Sequence, residues 1–280
     1  MSAILQQTTL LRPLTADLYD AISQGSLTLN SGQELLQFLR THPNLGHPQK
    51  LLNYTFKNEM FLLEALTHTS FVHEFKELNL KSNEKLEYLG DAILGLLVSH
   101  YLMDEFPELS EGELSKFRSS LVNGQSFAEL SKFLGLGHCL LMGKGELKNN
   151  GHEKKALLAD SFEAMLGAIY REGGFDSAEK AFFSLLESWR TEKGERFIKL
   201  EKLSEFDAKS RLQELTMAKY KVLPEYKAIQ LDDQSFEVEL RILDQSIATL
   251  RDSSKKKAQR MLAQKALKEN LIENLEKHNE

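Results

Sequence analysis

Residues 83–102 read NEKLEYLGDAILGLLVSHYL and set three carboxylates, Glu84, Glu87 and Asp91, at spacings of three and four. On a helix turning ~100° per residue they share a stripe about 60° wide. Two readings fit such a stripe. It is a solvated face whose acids suit a helix N-terminus capped at Ser82 or Asn83, or it is a cluster that holds a cation. The stripe runs on through Gly95, Val98 and Leu102, and residues 92–98 (AILGLLV) are apolar on every side. That pattern predicts a helix buried at the centre of a domain. Crowded acids at the mouth of a buried helix are costly unless a cation or a metal neutralises them. No lysine or arginine lies on this stripe, because Lys85 points elsewhere.

A second segment repeats the arrangement. In KALLADSFEAMLGAIY, residues 155–170, Asp160 and Glu163 are the only charged residues after Lys155. Spaced i and i+3, they share a face that continues to Ala156 and Gly167, small residues that permit close approach of another helix. Read alone, this is an amphipathic patch. If the two stripes face each other, they line a pocket with oxygen atoms. Oxygen-only ligation favours Mg²⁺ or Mn²⁺ over zinc, and the eight histidines and Cys139 show no zinc-ligand spacing.

The surrounding elements must bring the stripes together. Residues 49–190 carry apolar residues at helical spacing, with expected helices at 58–66, 83–104, 110–121, 123–134, 152–172 and 176–190. A charged stretch at 191–203 reads as a linker or helix extension. The period then changes. Residues 207–219 are helical, 225–231 and 235–243 alternate, 246–251 offer a third strand, and a long helix runs from Ser254 to Leu275. Phe236, Val238, Leu240 and Ile242 fall on one face of the middle strand. The expected fold is an all-α domain at 49–190 followed by a small α+β domain, α-β-β-β-α, at 204–275. Residues 1–48 form an N-terminal extension with no assigned role, in which 33–40 is helical behind a cap at Asn30 or Ser31.

Composition limits the classes. The 280 residues are 41% hydrophobic and 27% charged, which excludes low-complexity and wholly disordered chains. One cysteine excludes a disulfide scaffold. No apolar run reaches the ~20 residues of a membrane span. Gln6 and Gln7 interrupt the apolar start without a basic leader, so the expectation is a soluble, cytoplasmic protein with no membrane partner. The net charge of −6 divides unevenly: residues 204–270 are net +2 and the remainder is net −8. A basic face is therefore compatible with the acidic total, since phosphate attraction acts locally.

The run NEKLEYLGDAIL resembles the signature of ribonuclease III, the double-strand-specific endoribonuclease. The flanking segments extend the resemblance: ALTHTS at 65–70, EGELSKFRSSLVN at 111–123, GKGE at 143–146 and ADSFEAMLGAIY at 159–170. The C-terminal part resembles the double-stranded RNA-binding domain that follows the nuclease domain in bacterial members. The match covers roughly residues 50–270.

The resemblance implies metal-binding roles for Glu87, Asp91, Asp160 and Glu163, with Asp91 and Glu163 in direct catalysis. It places Glu84 and Glu111 as supporting acids along the cleavage valley. It implies a Mg²⁺ cofactor, replaceable by Mn²⁺, and a staggered cut of duplex RNA to 5′-phosphate and 3′-hydroxyl ends. Such a cut needs two sites, hence a homodimer, and Tyr88 matches the aromatic that packs across its interface; read within one chain, Tyr88 is a core aromatic. His68 and Ser70 lack a third orienting group for nucleophilic catalysis and read as a helix-end pair. Ribosomal precursor processing and messenger RNA processing or turnover are the family's expected tasks.

Duplex RNA is recognised through shape, phosphates and 2′-hydroxyls. Lys255, Lys256 and Lys257 open the last helix although cations oppose the helix dipole there, which suits phosphates bound at that end. Gln213 and Glu214 match the family's minor-groove contacts. Two segments depart from the family pattern. LDDQS at 231–235 carries Asp232 and Asp233 where a Pro/His-containing contact is usual, and ATLRDSS at 248–254 replaces a Gly-rich approach. Both point to lower affinity or steeper salt dependence. The competing readings are a non-catalytic duplex-RNA-binding protein, which the intact acid set opposes, and a small-phosphoester hydrolase, which leaves the C-terminal domain unexplained.

Overall fold

In a computed structural model, residues 12–273 and 275 are described, 201–207 by their backbone alone. The chain divides into two compact units. One comprises the residues up to Leu109 together with Leu121–Phe197, and the other Ser110–Ser120 together with the residues from Ile198.

The first unit is helical. Its elements are α1 (Leu14–Ser23), α2 (Gly32–Thr41), α3 (Gly46–Leu51), α4 (Glu59–Leu66), α5 (Thr69–Glu74) and α6 (Glu84–Glu105). After α7 (Glu111–Leu121), which belongs to the second unit, come α8 (Gly124–Leu134), α9 (Lys144–Lys148) and α10 (Lys155–Lys193). Capping residues fix several starts. Ser31 accepts from the Glu34 N–H while the Glu34 carboxylate accepts from the Ser31 N–H, a reciprocal pair that begins α2. Asn58 and Asn123 cap α4 and α8 in the same sense.

Helices α6 and α10 form the most extensive helix pair among the described residues. Leu94 and Leu97 on α6, with Phe162, Leu166 and Ile169 on α10, lie at 0% exposure in this core. Each such side chain contributes roughly 1.5–3 kcal/mol by leaving water. The helix α10 is bent at Gly174, whose φ of 74° breaks the helical path. A residue with a β-carbon disfavours that conformation. The two helices expected at 152–172 and 176–190 are the two arms of this bent element.

Residues 92–98 predict a helix buried on all sides, yet α6 exposes Ala92, and Leu96 is 53% exposed. Tyr88 at 83% and Met103 at 62% extend the same outward stripe. The apolar character of the segment therefore serves two surfaces, an inward one against α10 and an outward one that the described residues leave open. The outward position of Tyr88 also removes its reading as a core aromatic within one chain.

Residues 12–48 are packed into the first unit. Leu14, Leu18 and Leu35 are fully buried. The helices α3, α5 and α9 escape the periodicity argument because six, six and five residues offer few turns for an apolar stripe.

The second unit contains α7, α11 (Leu200–Tyr220), β1 (Glu225–Gln230), β2 (Phe236–Ile242), β3 (Gln245–Asp252) and α12 (Lys255–Lys268). The strands form one antiparallel sheet in the order β1-β2-β3. Val238, Leu240 and Ile242 alternate inward from β2 and pack with Leu212 of α11 and with Ala258, Leu262 and Ala263 of α12. This is the alternation expected of 235–243. The last helix ends at Lys268, short of Leu275, because Asn270 adopts φ 52° and the Leu271 N–H turns back to the Ala266 carbonyl. The helix α11 starts earlier than the expected 207, at Leu200, so 191–203 is helical at both ends.

Candidate active site

The backbones of α6 and α10 meet where two glycines remove the obstacle of a side chain. A β-carbon on Gly90 would lie 1.8 Å from the Glu163 carbonyl oxygen, and one on Gly167 would lie 2.1 Å from the Leu86 carbonyl oxygen. Neither distance is possible, so only glycine permits this separation. The sequence reading identifies Gly167 as a small neighbour. It misses Gly90, whose signal is its place one residue before Asp91 within the acidic run.

This crossing brings the two acidic stripes together. One carboxylate oxygen each from Glu87, Asp160 and Glu163 lies within 4.8 Å of the others, and all three residues are half-buried. Asp91, one turn beyond Glu87, stands outside this trio on the exposed side, close enough to repel both Glu163 and Glu87. Glu84 is exposed, accepts a 2.7 Å hydrogen bond from the Ser82 hydroxyl and adds to the repulsion on Glu87. Glu111 begins α7 in the other compact unit, exposed, with the Ser115 hydroxyl 3.2 Å from its carboxylate.

Electrostatics match the geometry. Burial, with repulsion from Asp91, Glu87 and Asp160, pushes the Glu163 carboxyl up to about 8. Burial also raises Glu87, with repulsion from Asp160, Glu84 and Asp91 adding to it. Asp160 is raised by burial against the opposing pull of His68. Among the described residues none of these acids forms an ion pair with a lysine or arginine. Acids so crowded and desolvated lack the positive charge that would make them comfortable. A hard divalent cation is the neutralising group their oxygens suit, and an all-oxygen donor set fits Mg²⁺ or Mn²⁺.

His68 borders the site. It caps α5, its Nδ1 lying 3.3 Å from the Ser70 N–H and 2.7 Å from the Ser70 hydroxyl. Burial lowers its imidazole, with Glu146, Asp160 and Glu84 pulling the other way. The Ser70 hydroxyl also accepts from the Gly143 N–H at 2.9 Å. These bonds occupy the pair in holding the chain, the helix-end role expected of it.

In the second unit, Gln213 and Glu214 lie exposed on α11, and Glu214 is 3.6 Å from Lys116 of α7 in the same unit. Lys255, Lys256 and Lys257 are exposed on the first turn of α12, which Ser254 caps. They are not equivalent, because the Lys257 ammonium lies 2.9 Å from Asp252. The unusual β1–β2 loop is tied to itself and to β3. Asp233 accepts from the Ser235 hydroxyl at 2.6 Å and pairs with Arg251 at 2.5 Å, which together hold its carboxyl down at about 2.

A Ribonuclease-III-like family model matches residues 58–189, and a double-stranded RNA binding motif matches residues 208–270. The chain is 43% identical over 225 residues to Ribonuclease 3 of Syntrophobacter fumaroxidans, covering 78% of this chain and 91% of that one. It is 40% identical over 223 residues to Ribonuclease 3 of a Sulfurovum species, covering 78% and 95%. Among solved structures, the nuclease domain of ribonuclease III from Campylobacter jejuni aligns at 42% identity with a TM-score of 0.47, covering 52% of this chain and 95% of that one. A helical nuclease domain followed by a three-stranded RNA-binding module, at this level of identity along most of the chain, shows that the protein belongs to the ribonuclease III family of endoribonucleases.

Proposed function

We propose that the protein cuts double-stranded RNA by divalent-metal-dependent phosphodiester hydrolysis, with Glu87, Asp160 and Glu163 as the carboxylates that hold the ion and Asp91 completing the set. The single observation that carries this reading is the meeting of those three half-buried carboxylates, one oxygen of each within 4.8 Å of the others, with no lysine or arginine paired to them among the described residues. A divalent ion held by these carboxylates would supply positive charge against the developing phosphoryl negative charge and would make water a better nucleophile near neutral pH. Asp91, close enough to Glu163 to repel it, orients with it the reacting water and takes up its proton as the P–O3′ bond breaks and O3′ is protonated, leaving 5′-phosphate and 3′-hydroxyl ends. Mg²⁺ is the natural occupant, and Mn²⁺ substitutes for it. Glu84 and Glu111 are supporting acids.

The first domain, residues 49–190, carries this chemistry, and residues 204–275 deliver the duplex. Gln213 and Glu214 face the minor groove while Lys255, Lys256 and Lys257 take phosphates. Two copies pair through the outward stripe of α6, with Tyr88 at its acidic end, and so supply the two sites of a staggered cut. Among the described residues no helix is long and apolar enough to cross a membrane, and the proposed setting is the cytoplasm, in ribosomal precursor and messenger RNA processing.

The test is incubation of the protein with long duplex RNA in Mg²⁺ and in chelator. Cleavage confined to the Mg²⁺ arm supports the reading. Binding without cleavage at every Mg²⁺ concentration makes the protein a duplex-RNA binder only.

A further inference from the structure

Segment 140–142 forms a strap that pairs with the chain at 66–68, and helix α1 holds it. Thr15 is fully buried. Its hydroxyl donates to the Leu140 carbonyl and accepts from the Met142 N–H at 3.1 Å. One turn along α1, the Tyr19 hydroxyl reaches the Met142 carbonyl at 3.4 Å, and the Lys144 ammonium sits 5.0 Å over the Tyr19 ring. If α1 were merely core filler, an apolar side chain would serve at position 15 as Leu14 and Leu18 do beside it. A buried hydroxyl that satisfies a donor and an acceptor on one strap instead sets the position of that strap.

The strap leads directly to the acids. The Leu141 N–H donates to the Leu66 carbonyl at 2.8 Å, and the His68 N–H donates to the Leu141 carbonyl at 2.9 Å, a parallel bridge centred on Thr67. The Thr67 carbonyl accepts from the N–H of the buried Asn83 at 2.9 Å. The Asn83 carbonyl accepts the first hydrogen bond of α6, from the Glu87 N–H at 2.8 Å. The Thr15 hydroxyl is thus joined to the Glu87 backbone through hydrogen bonds linked by two short chain segments, 140–142 and 66–68, the second of which carries His68.

We propose that α1 is a brace for the catalytic carboxylates and that Thr15 is a positioning residue acting on Glu87 through the 140–142 strap and Asn83. The proposal rests on the assignment of the Glu87, Asp160 and Glu163 cluster as the active site. Thr15→Val keeps the shape of the side chain and removes the hydroxyl. Small displacements of reacting groups carry large rate penalties, so kcat on a duplex RNA falls roughly 10- to 100-fold. Loss of positioning alone leaves KM within about twofold. The Mg²⁺ concentration for half-maximal rate rises, and Thr15→Ser, which restores the hydroxyl, restores kcat. Should Thr15→Val fail to fold, Tyr19→Ala carries the test, with the same loss confined to kcat and Mg²⁺ dependence at a smaller scale. Wild-type kcat in the folded variants, or failure of Thr15→Ser to restore it, overturns the brace. Glu163→Gln is run beside them. If it cuts normally, the assignment of the site itself fails, whatever Thr15 does.

Discussion

Gly90 on α6 touches the backbone of Glu163 on α10: a β-carbon there would sit 1.8 Å from the Glu163 carbonyl oxygen. The contact sets the helix separation, and with it the spacing of the carboxylates on either side. Gly90→Ala would improve helix propensity by about 1 kcal/mol, but the clash is with backbone, which cannot rotate away. Overpacking of about 1–3 kcal/mol wins. The expected result is a lower Tm together with a cleavage rate reduced beyond what unfolding explains. A Tm at or above that of the wild type would show that the helices part freely.

The acids also predict a pH dependence. Glu163 is pushed up to about 8 in the folded, metal-free protein, from an ordinary value of 4.5. An acid raised by folding is harmless while protonated and destabilising once ionised. In chelator, Tm should therefore decline as pH climbs from about 5 to 8. Glu87 and Asp160, raised in the same direction, add to the trend. Glu163→Gln should flatten the decline, and Mg²⁺ should do so in the wild type. Thermal melts across this interval check it, and an unchanged slope in Glu163→Gln would count against the buried-acid account.

The lysines of α12 should separate in their effects. Lys255 and Lys256 lack an ion-pair partner among the described residues, whereas Lys257 is held by Asp252 at 2.9 Å. Replacing Lys255 and Lys256 together by alanine should reduce the slope of log affinity against log salt by about 1–2. Lys257→Ala should change it less. Equal effects from all three, measured by filter binding to a duplex in chelator, would remove the distinction.

The outward stripe of α6 is tested by charge. Leu96 is 53% exposed and Met103 is 62% exposed in the single chain. Leu96→Glu would bury a charge in a dimer and gain solvation in a monomer. Light scattering should find half the mass of the wild type. An unchanged dimer mass would place the interface elsewhere.

Much of this was legible in the residue order, for identifiable reasons. Helical spacing exposed Glu87, Asp91, Asp160 and Glu163 because i, i+3 and i+4 positions share a face whatever the tertiary fold. The β2 alternation of Val238, Leu240 and Ile242 was equally plain, since a half-covered sheet demands period two. Other features were hidden. Asp91 stands outside the trio, which depends on the crossing of the two helices rather than on either sequence. The outward exposure of Leu96 looks the same as burial in a run of apolar residues. The joining of Thr15 to segment 140–142 links residues 125 apart, and no local pattern encodes a contact of that range.

Mn²⁺ binding followed by electron paramagnetic resonance tests, without reference to cleavage, whether acids from α6 and α10 hold a divalent ion between them. Wild-type protein should bind Mn²⁺ and release it to Mg²⁺, while Glu163→Gln and Asp160→Asn should each lose that binding and keep their affinity for duplex RNA. Mn²⁺ binding of unchanged affinity and stoichiometry in both variants would contradict the shared site.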